Sequence, residues 1–370
     1  MKISEGFLEI EIPDKPGFFY NPRGKLSRDF GVLLLKVESK IKGKKLKVLD
    51  LFGGMGIRSL RYMLETDAVD ELYFNDAYPE VVNQAKKNFE KFGFKNIKYF
   101  SEEATHLLAK FYYQREEFDW IDFDSFGSPV EFLDYTFRMI KNGGILYLTS
   151  TDGTVLCGRN TKALLRLYNA FSFPSEFVHE TGIRILYRKI MEIAHSKGKY
   201  IEPVFALFDG YSFRLAVRVK KGREIVNKNI GFVCRCPNCF ETYLIDYQNF
   251  CSFCPKCGQK IYFSGPLYYS DIHSKNILEM MLKECTDEKT KDVIKKMLEE
   301  IDMPPFYYHL DRVSEYLKVS TPKRRIFIKI LRRKGYLVKG THFMSNGIKT
   351  DAPTDVVKEV VKFLNKKGEG

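Results

Sequence analysis

At 370 residues the chain is too long for one ordinary hydrophobic core, which implies two or three domains. Hydrophobic residues make up 44%, enough for packed cores, and Lys plus Arg outnumber Asp plus Glu by 60 to 47, giving a net charge of +13 and a pI near 9.1. That balance suits a polyanionic partner better than an acidic small substrate. No apolar run reaches membrane-spanning length, and the opening MKISEGFLEIEIPDKPGF resembles neither a secretion signal nor an Arg-rich transit peptide. A cytoplasmic protein with no membrane partner and no obligate protein partner is expected.

Residues 1–221 alternate apolar runs with amphipathic stretches. Strands are expected at Leu46–Phe52, Glu71–Asn75, Asn96–Phe100, Phe118–Phe123 and Ile145–Thr149. Helices are expected from Ile57, over Pro79–Phe92 with Gly93 past its end, and over Val130–Ile140. Strict alternation predicts right-handed βαβ units and an α/β, Rossmann-like doubly wound sheet. Ile201–Val219, two apolar runs around Asp209-Gly210, adds an antiparallel hairpin.

Two motifs fall at the carboxyl ends of these strands, where open α/β sheets bind ligands. The first runs from Asp50 to Ser59 and opens a helix. In it Gly54 and Gly56 allow a sharp turn and close approach of a ligand, and Ser59 is small where helix meets strand. Asp76 follows Gly56 by twenty positions, at the end of the second strand, where a carboxylate can accept hydrogen bonds from ribose hydroxyls. A dinucleotide would bring a pyrophosphate to this turn, whereas Asp50 beside the glycines disfavours phosphate and suits the ammonium group of S-adenosylmethionine. The second motif, Asp122-Phe-Asp124-Ser-Phe126-Gly-Ser-Pro129, resembles the acidic-or-amide, proline, aromatic signature of amino-methyltransferases. An exocyclic base amine has its lone pair delocalised into the ring, so an acceptor must hold its N–H and orient the nitrogen. Asp124 can do this, and Phe126 can stack on an extruded base.

Six of the eight cysteines lie between Cys234 and Cys257. Cys236-Pro-Asn-Cys239 and Cys254-Pro-Lys-Cys257 form two knuckles fourteen residues apart, a structural zinc signature in the segment 222–270. Cys234 and Cys251 offer rival ligand sets, since Cys251 with Cys254 has the same gap. In the remaining segment, 271–370, helical patterns cover Leu278–Leu298 and Tyr308–Leu317. From Lys318 to Lys339 there are nine basic residues and no acidic one. A helix over Lys323–Lys334 leading into a strand at Tyr336–Val338 predicts a basic, winged-helix-like α+β tail that grips RNA phosphates.

Taken in order, several blocks make the chain similar to the tRNA (guanine-26, N2) dimethyltransferases over nearly its whole length. They are Phe19-Tyr20-Asn21-Pro22 with Arg28-Asp29, Asp50–Arg58, Asn75-Asp76, Asp122–Pro129, Thr149–Asp152, His179–Arg184, Gly265-Pro266-Leu267 and Gly347–Pro353. The resemblance implies an N-terminal segment folded over the cofactor. It also implies a pocket for S-adenosylmethionine formed by Arg28, Arg58, Asp76, Glu103 and Ala104, with both arginines on the methionine carboxylate. Asp124 would position the guanine amine, with Phe126 and Phe19 as stacking partners. The chain departs from the family in carrying Ser125 where proline is usual and Glu103 where aspartate is commoner, which removes no functional group. The implied activity is transfer of one or two methyl groups to guanine N2 in tRNA. An amino-methyltransferase acting on another RNA, and an inactive RNA-binding factor on the same scaffold, are the alternatives; intact Asp76, Asp124 and the Gly54/Gly56 turn favour the enzyme.

Overall fold

A computed structural model describes residues 2–13, 15, 18–222 and 229–366. Residues 223–228, the opening of the expected zinc-knuckle segment, lie outside the described residues. The chain forms two compact units, each assembled from three stretches. Met1–Asp152, Ile190–Glu224 and Asn276–Lys291 make the first, and Gly153–Lys189, Ile225–Lys275 and Asp292–Gly370 the second. Residues 153–189 of the expected catalytic segment thus group with the cysteine-rich and basic parts, and 276–291 of the expected tail group with the sheet.

The first unit opens with an antiparallel hairpin, β1 (Lys2–Glu5) and β2 (Leu8–Glu11), before helix α1 (Lys25–Lys42). Strands β3 (Leu46–Asp50), β4 (Val69–Asn75), β5 (Ile97–Phe100), β6 (Phe118–Phe123) and β7 (Ile140–Ser150) then alternate with helices. These are α2 (Ile57–Glu65), α3 (Pro79–Lys91), α4 (Ala104–Tyr113) and α5 (Leu133–Met139). With the hairpin β8 (Lys199–Phe208) and β9 (Phe213–Lys221), the seven-stranded order is β5-β4-β3-β6-β7-β9-β8. The five strands β3 to β7 pair in parallel, and β9 runs antiparallel to both β7 and β8. Strands β3 and β6 bury Leu46, Val48, Leu49, Phe118, Trp120, Ile121 and Phe123 completely, as strands covered on both faces require. The strand order reverses between β3 and β6, so their carboxyl ends flank the crevice where such sheets take ligands.

Local chemistry explains where the elements differ from their predicted bounds. The hairpin turn is clamped by Asp209, whose Oδ1 accepts from the Tyr211 and Ser212 amides, with Gly210 at φ +87°. Strand β7 begins at Ile140 instead of Ile145, because the turn-like Asn142-Gly143-Gly144 is carried inside the strand as a register irregularity against β6. The expected helix 130–140 starts as a 3-10 turn, Val130–Phe132, closed by the Phe132 amide onto the Pro129 carbonyl, and only α5 is α-helical.

In the second unit, β10 (Ile230–Arg235), β11 (Thr242–Asp246) and β12 (Tyr262–Tyr268) form an antiparallel sheet, β11-β10-β12, that carries the cysteine knuckles. Farther on, β13 (Tyr308–His309), β14 (Val338–Gly340) and β15 (Gly347–Thr350) pair in the order β13-β15-β14. Helices Leu310–Leu317, Arg324–Arg333 and Thr354–Lys366 close over them around Val313, Phe327, Leu331, Ile348, Val357 and Val361. This is a winged-helix arrangement, as expected. The stretch Leu278–Leu298, whose residues through Lys291 belong to the first unit, is two helices, Lys275–Glu284 and Glu288–Glu300. The second is restarted by Asp287, whose Oδ2 accepts from the Thr290 amide at 2.9 Å. No described helix is long and apolar enough to cross a membrane.

Candidate active site

The crevice of the first unit is a cavity of about 330 Å³ bounded by the turns after β3, β4 and β6, by the start of α1 and by the β8–β9 hairpin. After β3, Gly54 and Gly56 adopt φ +52° and +79°, and a side chain at Gly56 would meet the Phe89 ring at 2.9 Å. After β4, Asp76 lines the cavity with Oδ2 accepting from the Gly54 amide at 3.0 Å and Oδ1 from the Tyr78 amide at 3.1 Å. Burial raises its pKa, a rise those two amides oppose.

Asp50 and Arg58 both line the cavity. Asp50 is buried, and burial together with the nearby Asp122 carboxylate raises its pKa. Its Oδ2 accepts from the Ser59 hydroxyl at 2.5 Å, while Oδ1 has no hydrogen-bond partner among the described residues. Arg58, 5% exposed, sends Nη2 to Asp124 Oδ2 at 2.5 Å and sets Nε 3.6 Å from Asp122 Oδ2; its Nη1 is buried without a partner among the described residues. One orphaned acceptor and one orphaned donor, on two residues that line one cavity, fit the ammonium and carboxylate of a bound amino acid moiety.

Asp124, at the end of β6, is the meeting point of the site. Its side chain is 32% exposed, and its two oxygens are held separately, Oδ2 by Arg58 and Oδ1 by Arg214 at 2.8 Å. Burial alone would raise its pKa, but the Arg214 and Arg58 guanidiniums outweigh it and keep the carboxyl far below the usual range. The site therefore holds a permanently ionised acceptor at its mouth. Phe126 and Phe19 stand beside it, 78% and 62% exposed, with ring centroids 6.1 Å apart in an edge-to-face pair. Such exposure of two large rings at a cavity rim is what a stacking platform for a planar ligand requires.

The remaining expected residues divide. Arg28 reaches the cavity wall, but it is also engaged with Glu5, through Nε at 2.7 Å and Nη2 at 2.6 Å, and lies over the Tyr20 ring. Glu103 and Ala104 do not line the cavity: exposed Glu103 caps α4, accepting from the Thr105 and His106 amides at 2.9 and 3.1 Å, and Ala104 is buried. Arg214, Tyr78 and Tyr211 line the site and were not anticipated. The signal for Arg214 was present in Phe213–Val217, where it is the one charge in an otherwise apolar strand that buries it to 4%.

In the second unit the four expected thiols converge, with all Sγ atoms within 4.8 Å of one another, Cys236 to Cys257 at 3.5 Å and Cys239 to Cys254 at 3.6 Å. Tetrahedral zinc with sulfur at about 2.3 Å needs ligand edges of about 3.8 Å, so the donors fit that ion. Cys234 and Cys251 stay apart from the cluster: Cys234 is buried within β10 and Cys251 faces the Phe253 carbonyl at 3.3 Å. On the winged helix, Lys323, Arg325, Lys329, Arg333 and Lys334 are exposed and make no ion pair among the described residues, while Phe327 and Leu331 anchor the opposite face.

Comparison with known proteins agrees with this geometry. The tRNA (guanine(26)-N(2))-dimethyltransferase of Methanobrevibacter smithii is 33% identical over 383 residues, covering 98% of this chain and 97% of its own. The tRNA (guanine(26)-N(2)/guanine(27)-N(2))-dimethyltransferase of Aquifex aeolicus is 32% identical, covering 98% and 96%. Among solved structures, Trm1 from Pyrococcus horikoshii in complex with S-adenosyl-L-methionine matches with a TM-score of 0.86 at 31% identity, over 98% of this chain and 99% of that one. The family profile described as N2,N2-dimethylguanosine tRNA methyltransferase spans residues 2–362, and the chain belongs to that family.

Proposed function

We propose that the chain transfers methyl groups from S-adenosylmethionine to the exocyclic N2 of guanine 26 in tRNA, with Asp124 as the residue that orients the amine. The observation that carries this is the fixed carboxylate at the mouth of a cavity lined by Asp50 and Arg58, whose buried Oδ1 and Nη1 have no hydrogen-bond partner among the described residues. Asp50 Oδ1 suits the cofactor's ammonium, Arg58 Nη1 its carboxylate, and Asp76 its ribose hydroxyls. Bound there, the cofactor supplies an electrophilic methyl on its sulfonium. Asp124 accepts the N2–H hydrogen bond and turns the nitrogen lone pair toward the methyl group. Because its pKa is held so low, Asp124 serves as a fixed acceptor and not as a store for the proton, which passes to solvent. Phe126 and Phe19 stack the extruded base.

The unpaired cations of Arg324–Arg333 grip tRNA phosphates, and zinc at Cys236, Cys239, Cys254 and Cys257 stabilises the sheet that carries those thiols; the cytoplasm is the compartment where such a substrate is met. The test is mass spectrometry of nucleosides from unmodified tRNA incubated with protein and cofactor. Mono- and dimethylated N2-guanosine at position 26 is expected; its absence would remove the reading.

A further inference from the structure

Apart from the methyl-transfer site and the cysteine cluster, the second unit brings together His273, Glu300 and His342. They come from three separate places: the stretch after β12, the C-terminal end of helix Glu288–Glu300, and the connection between β14 and β15. One donor atom from each lies within 4.8 Å of the others. The side chains of Glu300 and His342 are 3% and 1% exposed, and His273 is buried as well. His342 Nδ1 sits 2.7 Å from Glu300 Oε1, and the two imidazole rings are 5.5 Å apart, edge to face. The other ring nitrogen of His342, Nε2, is buried and has no hydrogen-bond partner among the described residues. The His342 amide and Nδ1 both reach Glu300 Oε1, so the buried lone pair that calls for a partner is the one on His342 Nε2.

We propose that His273, Glu300 and His342 form a second metal site, independent of the four cysteines and of the methyl-transfer chemistry, for a borderline transition ion of the zinc, cobalt and nickel class. The donor set selects that class, and the fixed charges beside it are balanced in part. Lys349 Nζ stands 3.8 Å from Glu300 Oε2 and 2.8 Å from Glu180 Oε1, and Arg184 pairs with Glu180 at 2.8 Å. Two carboxylates are thus already matched by two permanent cations. Two of the three donors are imidazole nitrogens, whereas calcium and magnesium are bound by carboxylate and carbonyl oxygens. Imidazole nitrogen is a ligand that suits borderline ions such as zinc and nickel. Three protein donors leave a fourth tetrahedral position, and an adjoining cavity of about 520 Å³, lined by His273, Glu300, Asp271, Asp302 and Asp351 among others, gives water access to it. The ion would tie three distant stretches of the second unit at one point.

The two metal sites differ in spectrum, which makes the proposal testable on the full chain. Cobalt(II) bound by thiolates gives an intense near-ultraviolet charge-transfer band, whereas cobalt(II) bound by imidazole and carboxylate gives only weak visible ligand-field bands. Titration of the full-length, zinc-replete protein with cobalt(II) should show one equivalent per chain with ligand-field bands and no thiolate band. That equivalent should disappear in both His273→Ala and His342→Ala, and Glu300→Gln, which keeps the side-chain shape, should weaken it. Preserved circular dichroism and a bound zinc stoichiometry of one would show that each variant is folded. Saturation without any thiolate-free cobalt, or thiolate-free cobalt that survives in both folded histidine variants, would overturn the proposal.

Discussion

Replacing Asp124 by Asn keeps its shape and removes its charge, so the consequences follow from its two partners. In the wild type each carboxylate oxygen is committed to one guanidinium, Arg58 at 2.5 Å and Arg214 at 2.8 Å. The amide has one acceptor oxygen in place of two and must turn its NH2 group toward an arginine or toward the incoming amine, which no longer finds a fixed acceptor. A positioned group of this kind contributes about 10²–10⁴-fold to turnover, or about 3–5 kcal/mol of barrier. The same change leaves two buried guanidiniums without their shared counter-ion. A fully buried pair broken in this way costs about 3–5 kcal/mol, and the partial exposure of Asp124 reduces that to roughly 1–3 kcal/mol. Single-turnover transfer of radiolabelled methyl into tRNA measures the first effect, and calorimetry of cofactor binding separates it from loss of the pocket. Turnover should fall by at least about a hundredfold with cofactor affinity nearly preserved. Wild-type turnover, or a loss of cofactor affinity that accounts for all of the lost activity, would refute the assignment.

Four further outcomes are expected. Arg214→Ala removes one of the cations that depress the Asp124 pKa, so the pH–rate profile should gain an acidic limb, with activity lost as pH falls through the raised value; Arg214→Lys should move the limb back. Glu5, buried against Arg28 and Arg61, has its pKa lowered to about 2 from an ordinary 4.5. Burial opposes the lowering and the arginines cause it, so its contribution of about 3 kcal/mol is complete above pH 4.5 and is lost as pH falls toward 2. Acid melts of Glu5→Gln should therefore lack that part of the wild-type pH dependence. Neutralising Arg325 and Lys329 to Gln should raise the KM for tRNA, leave cofactor affinity alone and reduce the salt slope of tRNA binding by about 2. Chelation of zinc, or Cys236→Ser, should lower the thermal stability of the second unit without changing cofactor affinity in the first; an unchanged melt would count against a metal at the cysteines.

The sheet was legible because its strands announce themselves twice, by apolar runs and by the turn chemistry that ends each one. Asp50, Gly54, Asp76 and Asp124 stand out for the same reason: they interrupt the pattern at strand ends, where ligands bind. The cysteine knuckles were legible from spacing alone. Partners supplied from far along the chain were not. Arg214 meets Asp124 across ninety positions, and only the pairing of β9 with β7 brings it near. Glu103 shows the converse case, a carboxylate beside a strand end whose chemistry is taken up by capping α4. The break at Asp287 was hidden because the polar run 286–292 reads as well as an exposed stretch of one helix, while the capping hydrogen bond that restarts the helix is a local side-chain contact.

Because the first unit draws on Asn276–Lys291 as well as on the opening 152 residues, no contiguous fragment confined to the sheet contains all its parts. A polypeptide ending just after the β8–β9 hairpin would lack Thr290, whose hydroxyl lies 3.1 Å from Asp29 Oδ2 on α1, and Glu284, which pairs with Lys36 at 2.8 Å. During synthesis the sheet can pair its strands early, yet its outer surface waits for a stretch that leaves the ribosome only after the knuckles have been made. Cotranslational folding of this protein is therefore expected to run through a long-lived, incompletely covered state, and chaperone dependence should track the interval between residue 221 and residue 291.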